Sequence, residues 1–352
     1  MPQPLPTTHL GVCFLSVVPA PELLRLAQVA DEAGLDGFWL SEGYHYFRRL
    51  GEPSSSTSIA AAAAVLTKRI TIGLGIVPPY TRHPGLLAME ARTLSTLSGG
   101  RVILGLGAAK AAALHMGWTE QTLRSVAIHR ESIALTRKLL AGAAVDHQGK
   151  FYKLDAPPSP TENFSAVPIA IGATGPKMLE LAGEVADLVL LPTFTTARFV
   201  KIARDRIAAG AVRSGRSPET IPIGATLPFS VAEEESEARE AIRVTTAVYI
   251  ANKVQNIRDD TLMRAADLSE EEAVPIAEKL QREGPQAAAH MVSNAIMDKV
   301  VVAGTPIQVT DRLLALKDAG LRWPLLYQVL GPDRTAAIKL IAQKVRPAFL
   351  AG

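Results

Sequence analysis

LSGGRVILGLG (Leu97–Gly107) and VPIAIGATGPKMLELAGEVAD (Val167–Asp187) each carry an apolar run that gives way to small residues. The first closes on Gly105, Gly107, Ala108 and Ala109. The second breaks at Gly172 and Gly175 and passes into a helical pattern. Both read as strands leaving a sheet into a loop. In a parallel α/β barrel all such exits open on one face, where a ligand touches several strands at once.

Outward from these stretches the chain alternates strand and helix patterns. Strands are expected at Leu10–Leu15, Asp36–Ser41, Arg69–Val77, Arg101–Gly107, Pro168–Gly172, Ala186–Pro192, Ile221–Val231 and Trp323–Gly331. Helices are expected between them: one with Leu23, Leu26, Ala27, Ala30 and Ala33 on one face and stopped by Gly34, then Ser58–Leu66, Pro84–Leu97, Thr119–Ala141, Pro176–Glu184 and Ala197–Arg213. Ala143–Val167 is rich in proline and turn residues. Helical patterns fill Ala232–Asn256, Arg258–Asp298 and Thr310–Ala319, and Pro332–Leu350 closes the chain. The pattern predicts an α/β fold, a (β/α)8 TIM barrel forming one domain over residues 1–352, with a mostly helical insertion at about 232–299 between strands seven and eight. A doubly wound dinucleotide fold would place glycines in the first strand-to-helix turn; that turn is SVVPAPE, which has none.

Composition narrows the function. The 352 residues are 48% hydrophobic and 20% charged, enough for a full core. A net charge of +3, evenly spread, argues against nucleic acid and leaves an anionic small molecule open. The single cysteine, Cys13, lies in an apolar strand and reads as a core residue. Residues 1–9 lack a signal-peptide pattern, no apolar run is of membrane-spanning length, and a cytoplasmic protein is expected. The seven histidines lack metal-ligand spacing, so no metal site is expected.

The strand exits carry the candidate chemistry. SEGYHYFRR (Ser41–Arg49) crowds Glu42 and His45 with aromatics, either as a solvated polar loop or as a wall where Glu42 or His45 holds or moves a proton. GIVPPYTRHP (Gly75–Pro84) is stiffened by proline, and Gly75 and Ile76 are the expected ligand contacts, with His83 in support. GLGAAKAAALHMGW (Gly105–Trp118) is a small-residue shelf, read as close packing or as a ligand bed edged by Ala108, Ala109 and the cation Lys110. In GATGPK, Gly172, Ala173, Thr174, Gly175 and Pro176 form a turn into a helix whose amides suit a phosphate, or an ordinary tight turn.

RHPGLLAMEARTLSTLSGGRVILGLG (82–107) and IGATGPKMLELAGEVAD (171–187) resemble signature stretches of the luciferase-like monooxygenase superfamily. The second is especially similar to its branch of oxidoreductases that depend on coenzyme F420, a deazaflavin. The resemblance implies the eight-stranded barrel and a flat ring lying on a bulge with a non-prolyl cis peptide at Gly75 and Ile76. It also implies a cofactor phosphate on the Gly172–Pro176 turn and a ring edge beside Ala108, Ala109 and Lys110. The Glu42–His45 loop would then face substrate. Two departures stand out: many such relatives carry glutamate where this chain has Lys110, and an Asp-His pair where it has Glu42 and Gly43. The leading expectation is an F420-dependent hydride transfer to a small organic substrate. The rivals are an FMN-dependent monooxygenase and a barrel that binds a ligand without turnover. The resemblance suggests a homodimer; the apolar helix patterns at Ser58–Leu66 and Ala232–Asn256 either bury a shared surface or, as is commoner for any one apolar helix face, belong to the intrachain core.

Overall fold

The computed structural model describes residues 5–44, 50–120, 122–123, 125–159, 166–254 and 260–352. Parallel strands β1 (Gly11–Leu15), β2 (Gly37–Ser41), β3 (Thr71–Leu74) and β4 (Val102–Gly107) pair in chain order. An antiparallel hairpin, β5 (Val145–Gln148) with β6 (Lys153–Ala156), intervenes before β7 (Ile169–Gly172) and β8 (Leu188–Leu191). Strand β9 (Ile223–Val231) pairs with β8 and, on its other edge, with β11 (Trp323–Leu330); β11 in turn pairs with β1. This closes an eight-stranded parallel barrel, the (β/α)8 architecture expected. Short β10 (Val302–Gly304) adds to β9 at Phe229–Val231 outside the closed ring.

Around the ring lie α1 (Ala20–Ala33), α2 (Ser56–Leu66), α3 (Pro84–Ser98), α4 (Lys110–His115), α5 (Ser125–Leu140), α6 (Pro176–Val185) and α7 (Ala197–Arg213). Between β9 and β11 come α8 (Glu235–Asn252), α9 (Asp260–Ala265), α10 (Glu270–Glu283), α11 (Pro285–Ala289), α12 (Asn294–Val300) and α13 (Pro306–Ala319). The chain ends in α14 (Arg334–Leu340), a π-helical turn and α15 (Arg346–Ala351). Besides β10, where no strand is expected, three elements differ from the sequence pattern. The helix expected from Thr119 begins at Ser125, and a short α4 precedes it on the shelf. The proline-rich connection holds the β5–β6 hairpin. Helix α13 starts at Pro306, because Thr305 and Gln308 form a capping box ahead of it. Among the described residues, no helix is long and apolar enough to cross a membrane.

Alternation along the strands sorts side chains into two cores. Val12, Phe14, Phe38 and Leu326 face the helices, whereas Cys13, Leu15, Trp39, Ile103, Ala170, Leu190, Leu325 and Tyr327 face the barrel axis. At the barrel floor His9 stacks on Trp323 with ring centroids 4.0 Å apart, and both meet Trp39 edge-on. Burial pushes the His9 imidazole down to about 4, so it stays neutral in the core. Glycine on neighbouring strands makes room for these rings: a Cβ on Gly73 would lie 2.1 Å from Trp39.

The path into β3 is fixed by one carboxylate. Asp31, near the end of α1 and 8% exposed, accepts the amides of Lys68, Arg69 and Ile70 at 2.8, 2.9 and 2.8 Å. Burial alone would raise this carboxyl, but the amides outweigh it and hold it below the ordinary value of 3.8. A depressed carboxyl stabilises the fold above its unfolded value and loses that contribution as pH falls. Asp31→Asn should therefore lower stability by about 2 kcal/mol at pH 7. In thermal melts the gap to the parent should narrow as pH drops below about 4.

Candidate active site

Beyond Leu74, strand β3 leaves its ladder. The Gly75 amide donates to the Leu40 carbonyl (2.8 Å), Val77 rejoins β4 through the Gly105 carbonyl (2.9 Å), and Gly107 donates back to Val77 (3.2 Å). The Gly75–Ile76 peptide between them is cis, as the resemblance implied. Ser41 Oγ donates to the Gly75 carbonyl and ties the bulge to β2. The Ile76 side chain lies across the ends of β4 and β7. A Cβ on Gly107 would stand 2.7 Å from Ile76 Cγ1, and one on Gly172 would stand 3.1 Å from Cγ2. Gly107 and Gly172 thus supply the empty volume that seats the bulge. Gly172, read from the sequence as part of a turn, has its place set by contact with Ile76.

Above this floor opens a cavity of about 700 Å³. Glu42, Gly75, Ile76, Ala108, Ala109, Lys110, Gly172, Ala173, Thr174, Gly175 and Pro176 all line it. His45 lies outside the described residues. Ala109 adopts a left-handed conformation (φ 40°) and starts α4, which turns the shelf inward. Across the cavity, the ten-residue α6 presents its N-terminus. The Ala173 amide is taken by the Leu190 carbonyl (3.0 Å), which ties β7 to β8. Among the described residues, the amides of Thr174, Gly175 and Lys177 donate to no backbone carbonyl, as expected at a helix start, and all three residues line the cavity.

Glu42 is engaged on both oxygens. Arg82 clamps it through Nη1 to Oε2 (2.6 Å) and Nη2 to Oε1 (2.7 Å), Tyr44 OH donates to Oε2 at 2.5 Å, and Ser56 Oγ donates to Oε1 at 3.3 Å. The side chains of Arg82 and Glu42 are 11% and 7% exposed. Arg82 also reaches Glu90 at 3.1 Å. Burial raises the Glu90 carboxyl despite that guanidinium, and burial together with Glu42 raises the Tyr44 phenol. The carboxylate is thereby fixed in place beside the cavity. Lys110 stands at the mouth, half-exposed, with Glu120 at 2.9 Å. His83 caps α3, its Nδ1 accepting the Gly85 amide at 3.1 Å.

The sequence reading missed five polar residues that line the same cavity: Ser41, Ser125, Thr226, Lys253 and Tyr327. The alternation of Trp323, Leu325 and Tyr327 along the last strand is the signal that places Tyr327 inward. Lys253 ends α8 one turn beyond Tyr249, and it is only 5% exposed. Nothing in the local sequence marks a lysine in that helix as buried.

The family model described as luciferase-like monooxygenase matches residues 6–322. The chain belongs to that family. Among its curated relatives, 5,10-methylenetetrahydromethanopterin reductase of Methanolobus tindarius is 32% identical, the match covering 95% of this chain and 98% of the relative. The F420-dependent glucose-6-phosphate dehydrogenase of Nakamurella multipartita is 26% identical, with coverage of 94% and 93%. The solved coenzyme F420-dependent tetrahydromethanopterin reductase of Methanopyrus kandleri superposes with a TM-score of 0.88 at 28% identity, covering 98% of this chain and all of that one. The luciferase-like barrel described above is therefore shared across nearly the whole chain.

Within this family member the Glu42–Arg82 pair has a measurable consequence. Arg82→Met leaves a buried carboxylate without its guanidinium and should destabilise the protein by about 3–5 kcal/mol in denaturant unfolding. The double variant Arg82→Met/Glu42→Gln should lose less than the two single losses added together, because the unpaired charge is gone.

Proposed function

We propose that the chain passes a hydride between coenzyme F420 and a small organic substrate: a carbonyl, an imine or an activated alkene. One observation carries the reading: the Ile76 bulge, seated on Gly107 and Gly172, faces the same cavity as the N-terminus of α6. The relatives named for F420 support the choice of cofactor. Bound there, the deazaflavin supplies the hydride-carrying carbon. The chain's residues supply position and dryness. Gly75 and Ile76 form an apolar rest for a flat ring, and Ala108 and Ala109 have no side-chain bulk to obstruct its edge. The amides of Thr174, Gly175 and Lys177 hold the phosphate, and Lys177 and Lys110 add positive charge for an anionic tail. Glu42, held by Arg82 and Tyr44, keeps a fixed negative charge at the substrate side.

The decisive experiment titrates F420 and FMN side by side, following the absorbance of each. F420 should bind at micromolar concentration and at least about tenfold more tightly than FMN. Equal or stronger FMN binding, with oxygen uptake driven by NAD(P)H, would select the monooxygenase instead. Gly107→Ala should weaken F420 at least about tenfold by displacing Ile76, while leaving the far-ultraviolet circular dichroism unchanged.

A homodimer is part of the same proposal. The apolar face of α8 is not its source, since α8 packs on α10 and α11 within the chain. Helices α2 and α3 are neighbours and expose Val65, Leu66, Leu86 and Met89. A second copy covering this face accounts for apolar residues that a monomer would leave wet. Light scattering should give twice the mass of 37.5 kDa, and the double variant Leu86→Glu/Met89→Glu should shift the protein toward monomer.

A further inference from the structure

Between β4 and α5 the chain runs along the cavity as a unit of its own. Helix α4 is six residues long, enters from the left-handed Ala109 (φ 40°) and leaves through the left-handed Gly117 (φ 91°). Among the described residues, the backbone hydrogen bonds of 109–118 close within the segment. Ala113 donates to the Ala109 carbonyl at 3.0 Å, and Trp118 returns to the Ala113 carbonyl at 3.1 Å, which carries Trp118 with the helix. Helix α4 packs only sparsely on the other helices and strands. Its inner face still buries Ala112 and Ala113, each 3% exposed, and Lys110, Ala111 and Ala112 line the cavity. The far end of the segment rests on Tyr80: the Trp118 ring lies 5.1 Å from it, tilted by 49°. Tyr80 is fixed from three sides. Its hydroxyl donates to Ser125 Oγ at 2.8 Å, His129 meets its ring edge-on at 6.0 Å, and the Tyr152 hydroxyl holds the Pro79 carbonyl just before it.

We propose that α4 is a lid: it lifts from the cavity to admit a ligand, turning about Ala109, and is held shut by Trp118 on Tyr80. The movement rests on the geometry of the cavity, and on the proposed function only for the ligand beneath it. A segment whose backbone hydrogen bonds are internal moves as a body, since lifting it breaks none of them. What lifting does break is the apolar cover of Ala112 and Ala113 and the contact between the two aromatic rings. Ala109 suits the hinge, because a residue with a side chain is held in left-handed backbone only by its surroundings and relaxes when they part. The Lys110–Glu120 ion pair lies in water and opposes the movement little. Closed, the segment sets Lys110 and the small side chains of Ala111 and Ala112 against the ligand and keeps water out.

The test places a thiol under α4 in the full chain. Cys13, the single native cysteine, is buried and its thiol is pushed up to about 12, so it stays silent toward iodoacetamide. Ala113→Cys puts a thiol beneath the lid, and Ala27→Cys puts one on the buried face of α1, where Ala27 is 0% exposed. Each labelling rate is divided by that of the same variant unfolded in urea. Ala113→Cys should label at least about tenfold faster than Ala27→Cys, because α4 lifts without global unfolding. Adding Trp118→Ala should speed Ala113→Cys by at least about tenfold again and leave Ala27→Cys unchanged, which also checks that the barrel stays folded. Saturating F420 should slow Ala113→Cys by about tenfold. Equal rates at the two thiols, or no response to Trp118→Ala, overturns the lid, and so does F420 that binds and leaves the rate as it was. Failure of F420 to bind overturns the proposed function alone, since the comparison of the two thiols uses no ligand.

Discussion

Empty space at the inward positions of β3, β4 and β7 is the constraint on which the rest of the molecule depends. Gly73, Gly105, Gly107 and Gly172 stand at or beside the points where larger groups cross the barrel. Gly73 yields to Trp39, Gly105 to the Leu74 carbonyl, and Gly107 and Gly172 to Ile76. A Cβ on Gly105 would lie 1.9 Å from that carbonyl, and main chain cannot rotate aside as a side chain can. The same missing methyl groups fill the barrel floor with indole and leave its top as a shallow platform. A packed interior tolerates such absences only where a neighbour's bulk replaces them. Trp39 and Ile76 do so here.

From that platform the placement of charge follows. The bulge returns to β4 just before the chain turns through Pro78–Pro79 to Arg82, and Arg82 reaches back to clamp Glu42 at the end of β2. The Glu42 amide donates to the Ile76 carbonyl at 3.3 Å, so the same residue touches the bulge with its backbone and the guanidinium with its side chain. Tyr152, from the β5–β6 hairpin, donates to the Pro79 carbonyl at 2.9 Å and fixes the loop from outside. Glu131 of α5 holds the hairpin in place through the amides of Phe151 and Tyr152 and through His147. A chain of contacts therefore runs from the hairpin to the floor of the cavity. It gives a surface element a physical means of affecting the site.

The barrel was legible in the sequence because its signals are local. Buried parallel strands read as short apolar runs, and the caps at Gly34, Gly99 and Pro176 end or begin helices by backbone chemistry alone. The cavity-lining residues of the four strand exits were legible for the same reason, since a strand end in a barrel fixes where its next few residues face. The β5–β6 hairpin was not, because its alternation is short and lies among prolines. Lys253 was hidden for a different reason. Its burial depends on Phe194 and on how α8 lies over the barrel mouth, which are contacts between elements far apart in sequence. Arg82 carries no signal of its own in the sequence, because its partner lies 40 residues away, beyond any local pattern.

Lys110 and Lys253 show how burial decides what a cation can do in one cavity. Lys110 is 49% exposed and pairs with Glu120, which is 74% exposed, and an ion pair in water of that kind contributes little, about 0–1 kcal/mol. Its side chain is free to follow a ligand, which suits attraction of a charged tail more than orientation of a reacting atom. Lys253 is held in a low-dielectric setting, where each interaction of its charge is stronger and its geometry is fixed by packing. In the same cavity Glu42 is paired with Arg82 and Lys110 with Glu120, and Lys177 adds a positive charge at the start of α6.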